Sequence, residues 1–118
     1  MKILVVDDEE LDLFINKKLL SLEYDTTGFT SPQEALRWAQ HNDFDVAVID
    51  YYLENGIFAG DLLKDLIALK GPAFKAFVVT NYVDEKQAAD LKQSGFTGII
   101  HKPLTLEVFK KKLNGEAA

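Results

Sequence analysis

Residues 3–10 read Ile3-Leu4-Val5-Val6-Asp7-Asp8-Glu9-Glu10, an aliphatic run without polar interruption and then a run of acids. A continuous apolar run rich in β-branched residues is the pattern of a strand covered on both faces, which points to a parallel sheet. The pattern returns in Val46-Ala47-Val48-Ile49, followed by Asp50, and in Phe77-Val78-Val79, followed by Thr80. Two weaker strands join them: 25–29, polar enough for a sheet edge, and Gly98-Ile99-Ile100-His101, which leads into Lys102-Pro103.

Helical patterns fill the intervals. Leu11, Phe14, Ile15, Lys18/Leu19 and Leu22 recur at helical spacing, so the segment from about Glu9 to Leu22 is expected to bury that stripe and expose Asn16, Lys17 and Ser21. Ser31-Pro32-Gln33-Glu34 combines an N-cap serine, proline at the first helical position and a glutamate placed to close a capping box, opening a helix that ends near Asn42. Leu62, Leu63, Leu66 and Ile67 mark a third helix. A fourth is expected from about Asp84 to Ser94, with Gly95 as its C-terminal cap, and Leu106, Phe109 and Leu113 mark a fifth behind Thr105. In that last helix Lys110, Lys111 and Lys112 fall where cations complement the helix dipole. Strand and helix thus alternate five times, which predicts an α/β, open, doubly wound (βα)5 sheet with helices on both faces.

The 118 residues, 47% of them hydrophobic, suit one domain over 1–118 with a single core. A net charge of -6 argues against a surface built for nucleic acid or anionic lipid. With no cysteine there is neither a disulfide nor cysteine-ligated zinc, and no apolar stretch approaches a membrane span; the expected location is the cytoplasm. The end of the chain, 114–118, reads equally as a natural tail or a cut linker.

Ligands of doubly wound sheets bind outside the carboxyl ends of the strands. Those ends carry Asp7 and Asp8, then Asp50, Thr80 and Lys102. If the strands concerned lie side by side, these groups share one cleft. Clustered carboxylates repel one another and need a cation, and an all-oxygen donor set suits Mg²⁺ or a similar hard ion that keeps some of its waters. A metal, a free aspartate oxygen, a hydroxyl and an ammonium together match the needs of a transferring phosphoryl group. Asp50 would be the nucleophile, Lys102 would neutralise developing charge, and Thr80 would donate a hydrogen bond to a phosphoryl oxygen.

With the paired acids in Val5-Val6-Asp7-Asp8-Glu9, the acceptor in Val48-Ile49-Asp50, then Thr80 and Lys102-Pro103, the chain resembles the response regulator receiver domain of two-component signalling along nearly its whole length. Each motif alone is weak, whereas their order on successive strand ends is specific. The resemblance implies the flavodoxin-like strand order 2-1-3-4-5 and a cis peptide before Pro103. It implies Asp8, Asp50 and the backbone carbonyl of Tyr52 as direct Mg²⁺ ligands, with Asp7 acting mostly through water. It also implies phosphorylation of Asp50 by a sensor histidine kinase or histidine phosphotransfer protein, a downstream effector protein or domain, and a phosphorylation-dependent dimer as one possible output.

Several positions depart from the family pattern. Ile99 stands where an inward-turning tyrosine or phenylalanine is usual, and Asn81 where the residue is usually very small. The loop from Asp50 to Gly60 lacks the common proline and reaches its glycine late, so local packing and partner contact by Ile57 and Phe58 are both open readings. Tyr52 and Tyr82 flank the route of the attacking water in this family, which predicts slow hydrolysis of phospho-Asp50. These departures also motivate a rival reading, a receiver-like interaction module that works independently of phosphorylation. A haloacid-dehalogenase-type phosphatase fits poorly, because it expects an aspartate where this chain has Tyr52. His101 is expected to face away from the cleft, since neighbouring strand residues point to opposite sides. Trp38 is expected to be partly buried, and Lys110 to Lys112 a solvated helix end. Val83, Leu91, Ile99, Leu104 and Val108 are expected to pack in the core or to contribute to the face between the fourth and fifth helices.

Overall fold

The computed structural model describes residues 1–115. Five strands, β1 (Lys2–Val6), β2 (Asp25–Phe29), β3 (Val46–Asp50), β4 (Lys75–Thr80) and β5 (Gly98–His101), alternate with five helices, α1 (Glu10–Leu20), α2 (Pro32–Ala39), α3 (Ala59–Lys70), α4 (Glu85–Gln93) and α5 (Leu106–Leu113). All strand pairs are parallel, in the order β2-β1-β3-β4-β5. This is the doubly wound sheet that the strand–helix alternation predicts, with the order that the family resemblance implies.

Alternation along each strand divides the interior in two. Leu4, Val6, Ala47, Ile49 and Val78 pack against Ala35, Ala39, Leu62, Leu63 and Leu66 of α2 and α3. Their neighbours Ile3, Val5, Val48, Phe77 and Val79 pack on the opposite face against Leu20 and Phe109 of α1 and α5. Each fully buried Leu, Val, Ile or Phe contributes about 1.5–3 kcal/mol relative to exposure, so both layers together hold the sheet. At the edge, Gly28 of β2 meets α1 closely: a Cβ there would lie 2.8 Å from Leu13 Cδ1.

Local signals determine most helix starts. The Ser31 hydroxyl accepts from Glu34 N at 3.3 Å, but the glutamate does not close the box; Gln33 Oε1 accepts from the same hydroxyl instead. Helix α2 also stops at Ala39, short of Asn42, whose side-chain amide reaches back to the carbonyl of Trp38 at 2.9 Å. Asp84 and Gln87 form a reciprocal capping box on α4, Thr105 caps α5, and Gly95 takes a positive φ after α4. Trp38 is half-buried between Phe29 and Phe44.

Helix α1 departs from expectation. Leu11, Phe14, Ile15 and Leu22 are exposed, at 52–72%, while Leu20 is buried and Leu13, Asn16 and Leu19 turn inward. The reason is positional: the inward face runs from the core up to the polar carboxyl ends of the strands. It must therefore carry Asp12 and Asn16 near that end, and it is not the most apolar face of the helix. Of the segment 114–118, read as a natural tail or a cut linker, the last three residues lie outside the described residues.

Candidate functional site

Strand register brings the polar residues together. Val6 pairs with Ile49, so Asp7 and Asp50 leave adjacent strands at the same level, and Asp50 in turn pairs with Val79, next to Thr80. Thr80 pairs with His101, and the carbonyl of Thr80 accepts from Lys102 N at 2.8 Å, which anchors the lysine backbone at the same edge. The Lys102–Pro103 peptide is cis, as the resemblance implies.

Asp7, Asp8 and Asp50 each offer a carboxylate oxygen within 4.8 Å of the others. Lys102 Nζ lies 2.8 Å from Asp50 Oδ1 and 3.7 Å from Asp12 Oδ2. Burial pushes the Asp7 carboxyl up to about 6; the Glu9 N–H bond to Asp7 Oδ1 at 3.0 Å and the charge of Lys102 pull against it, while Asp50 and Asp12 add to it. Asp50 is also raised, by burial above all, with the hydrogen bond and charge of Lys102 opposing. Burial alone would lower Lys102, but Asp50, Asp7 and Asp12 hold it above the ordinary lysine value. A protonated carboxyl is thus partly tolerated where the anion lacks a counter-charge, and a cation placed among the three aspartates would reverse that preference. Three oxygen donors without nitrogen or sulfur fit a hard divalent ion.

Thr80 is buried, and its hydroxyl donates to the carbonyl of Tyr82 at 3.3 Å. Asp50, Thr80 and Lys102 share a shallow cavity of about 240 Å³ with Tyr51, Tyr52, Asn81 and Tyr82. The loop after Asp50 is closed by bonds from Leu53 N to Ile57 O and from Ala59 N to Tyr51 O, each 2.8 Å, which leave the Tyr52 carbonyl out of both. Leu53 is fully buried and Ile57 packs on the core, whereas Phe58 stays 41% exposed against the rings of Tyr51 and Tyr52. Local packing therefore accounts for most of this loop. His101 is exposed and lines a different groove, with Val83, Ala88, Ile99 and Lys112, so it does look away from the cleft.

Asp7, Asp8, Asp50, Thr80 and Lys102 converge. Asp12, in the first turn of α1, is not among them; it joins the site only through Lys102, whose Nζ lies 3.7 Å from its carboxylate.

The sequence matches the response regulator receiver domain family over residues 3–114, and the chain belongs to that family. Among solved structures, it is similar to a receiver domain protein described as CheY-like from Methanospirillum hungatei JF-1, at 26% identity and TM-score 0.82, covering 97% of this chain and 94% of that one. A receiver domain from Clostridium thermocellum is 25% identical at TM-score 0.85, with coverage of 97% and 91%. A response regulator from Burkholderia pseudomallei, solved with a phosphorylated aspartic acid, a calcium ion and citrate, is 25% identical at TM-score 0.80, covering 95% of this chain and 65% of that one. No curated protein sequence matches the chain.

Proposed function

We propose that this receiver domain is a Mg²⁺-dependent phosphoacceptor that takes a phosphoryl group from a phosphohistidine onto Asp50. The observation that carries the reading is the convergence of Asp7, Asp8 and Asp50 within 4.8 Å, with Lys102 bonded to the acceptor. The phosphorylated aspartic acid and calcium ion of the Burkholderia relative support the same pairing here.

In the transfer, an Asp50 carboxylate oxygen attacks phosphorus. The new P–O bond forms as the P–N bond to the donor imidazole breaks, and the departing nitrogen keeps the electron pair and takes up a proton. Asp8, Asp50 and the Tyr52 carbonyl would hold Mg²⁺ directly, with Asp7 acting through water; the ion supplies charge neutralisation at the phosphoryl oxygens. Lys102, already hydrogen-bonded to Asp50, is placed to follow the charge onto a phosphoryl oxygen. Thr80 exchanges its bond to the Tyr82 carbonyl for one to the phosphoryl group, so phosphorylation pulls on the β4–α4 connection. Ile99, half-buried behind that connection, responds by packing alone, because it has no ring or hydroxyl to turn.

The partners proposed are a sensor histidine kinase or phosphotransfer protein and a downstream effector, met in the cytoplasm. The exposed stripe of Leu11, Phe14 and Ile15 suits the donor, since Ile15 shares a cleft with Lys102, Pro103 and Leu104. The groove of about 560 Å³ between α4 and α5 suits the effector, and phosphorylation-dependent pairing of two copies is a further output it could serve. The domain promotes its own phosphorylation and dephosphorylation without turning over a separate substrate.

Incubation with Mg²⁺ and acetyl phosphate, followed by intact mass and peptide mapping, tests the reading. A phosphoryl adduct on Asp50 is expected. Absence of an adduct under conditions that label other receivers, together with partner binding unchanged by Asp50→Asn, would favour the phosphorylation-independent module that Ile99 motivates.

A further inference from the structure

Lys102 is shared between two carboxylates. One is the acceptor, at 2.8 Å; the other is Asp12 of α1, at 3.7 Å, whose side chain remains 42% exposed. Asp12 therefore sits apart from the trio that can hold a metal, on the wall of the cleft formed with Ile15, Asn16, Asn81, Lys102 and Leu104. It reaches the floor through Lys102, whose Nζ it shares with the Asp50 carboxylate. No hydrogen bond or helix cap occupies it among the described residues, and its only ion-pair partner there is Lys102.

We infer that Asp12 is a specificity-determining residue that sets which phosphoryl donors the cleft accepts by placing a fixed negative charge beside Lys102. The inference rests on the phosphoacceptor reading above. A donor approaching Asp50 must bring its phosphoryl oxygens to Lys102, and hence close to the Asp12 carboxylate. A doubly negative donor is repelled more than a singly negative one, and a phosphohistidine whose charge is partly balanced within its own protein is repelled least. Part of the lysine charge is also already answered by Asp12, which leaves less of it to attract free anions.

Two small donors separate the effect from general reactivity. Acetyl phosphate is mostly doubly negative at neutral pH; Asp50 attacks phosphorus, the P–O bond breaks, and acetate leaves with the electron pair. Phosphoramidate is net singly negative, protonated on nitrogen; the same attack breaks the P–N bond and releases ammonia. Rate constants for adduct formation at saturating Mg²⁺ are compared for wild type, Asp12→Asn and Asp12→Glu. A unit charge acting across a wet cleft changes such a rate by a few-fold, so Asp12→Asn is expected to speed acetyl phosphate about threefold and phosphoramidate by clearly less. Asp12→Glu keeps the wild-type ratio, and added salt narrows the difference between wild type and Asp12→Asn. An acetyl phosphate rate that is unchanged or lower in Asp12→Asn, or an equal acceleration with both donors, overturns the inference and leaves the phosphoacceptor reading standing. No adduct on wild type from either donor removes both.

Discussion

The floor of the site and the collar around it are built on different rules. On the floor, Asp7, Asp50 and Thr80 are 2–8% exposed, locked by strand register and by bonds to Glu9 N, Lys102 Nζ and the Tyr82 carbonyl. In the collar, Ile15, Tyr52, Phe58 and Tyr82 are 41–67% exposed, and no buried polar group depends on their side chains among the described residues. Buried polar groups must be satisfied and mutually compensated, so the floor has little freedom to vary. The collar is free of that constraint, and this chain departs from the family pattern there, at Asn81, Tyr52, Tyr82 and the loop that carries Phe58. In the phosphoacceptor reading proposed above, transfer chemistry would belong to the first region, and access and partner choice to the second.

The largest effect is expected on the floor. Asp50→Asn keeps the shape and removes the nucleophile, so intact-mass analysis after acetyl phosphate and Mg²⁺ is expected to show complete loss of the adduct. An adduct of undiminished yield on Asp50→Asn would move the acceptor elsewhere and dissolve the distinction drawn above.

Helix α1 spans both regions and gives the next contrast. Leu20→Ala empties a fully buried position in the core layer between the sheet and α1 and is expected to cost about 2–5 kcal/mol in urea unfolding. Phe14→Ser, on the exposed stripe, is expected to cost about 0.5 kcal/mol or less, since the ring is 60% exposed and Lys18 Nζ lies 5.5 Å from its centroid. Comparable losses from the two would mean that the stripe is structural and that the collar ends at the loops.

The same helix shows where sequence reading works and where it stops. The runs at Ile3, Val46 and Phe77 are legible as strands because each must be apolar on both faces, and register then carries Asp7, Asp50, Thr80 and Lys102 to one edge. Caps at Ser31 and Thr105 are legible because an orphan N–H is satisfied locally. The facing of α1 is not, because Asp12 and Asn16 turn towards the cleft and subtract apolar residues from the inner face. Hydrophobic periodicity then selects the stripe left for solvent. Asp12 was missed for the same reason: its meaning lies in a contact with Lys102, ninety residues further along the chain.

A smaller effect should separate the metal-free floor from the collar by its pH dependence. The Asp7 carboxyl, pushed up to about 6 in the folded protein against 3.8 ordinarily, binds its proton more tightly folded than unfolded. Between those values stability therefore falls as pH rises, and above about 6 the whole penalty of the buried anion is present. Asp7→Asn removes it, so without metal the variant is expected to be more stable than wild type by roughly 1–2 kcal/mol at pH 7.5, a gain that shrinks through pH 6 and vanishes near pH 4. Mg²⁺ should stabilise wild type more than the variant. Urea titrations across this range with EDTA and with Mg²⁺ check the sign, and a gain that grows towards acid pH would refute the assignment.

The smallest effect tests the collar alone. Once Asp50 carries a phosphoryl group, water must approach phosphorus from the side opposite the aspartyl oxygen, through the opening that Tyr52 and Tyr82 share with Asn81. Tyr52 is braced edge-on against Phe58 at 5.1 Å, which restricts its ring more than its exposure suggests, whereas Tyr82 has no aromatic neighbour among the described residues. Neither side chain offers a carboxylate or amide to orient the water. Replacing both in Tyr52→Asn/Tyr82→Glu opens the path and supplies polar partners, so the phosphoryl half-life is expected to shorten about fivefold, near 1 kcal/mol of barrier. Single variants apportion the effect: the braced Tyr52 should account for the larger share if obstruction dominates, and Tyr82→Glu if water orientation does. A wild-type half-life no longer than that of the double variant would show that the collar governs partners without governing water.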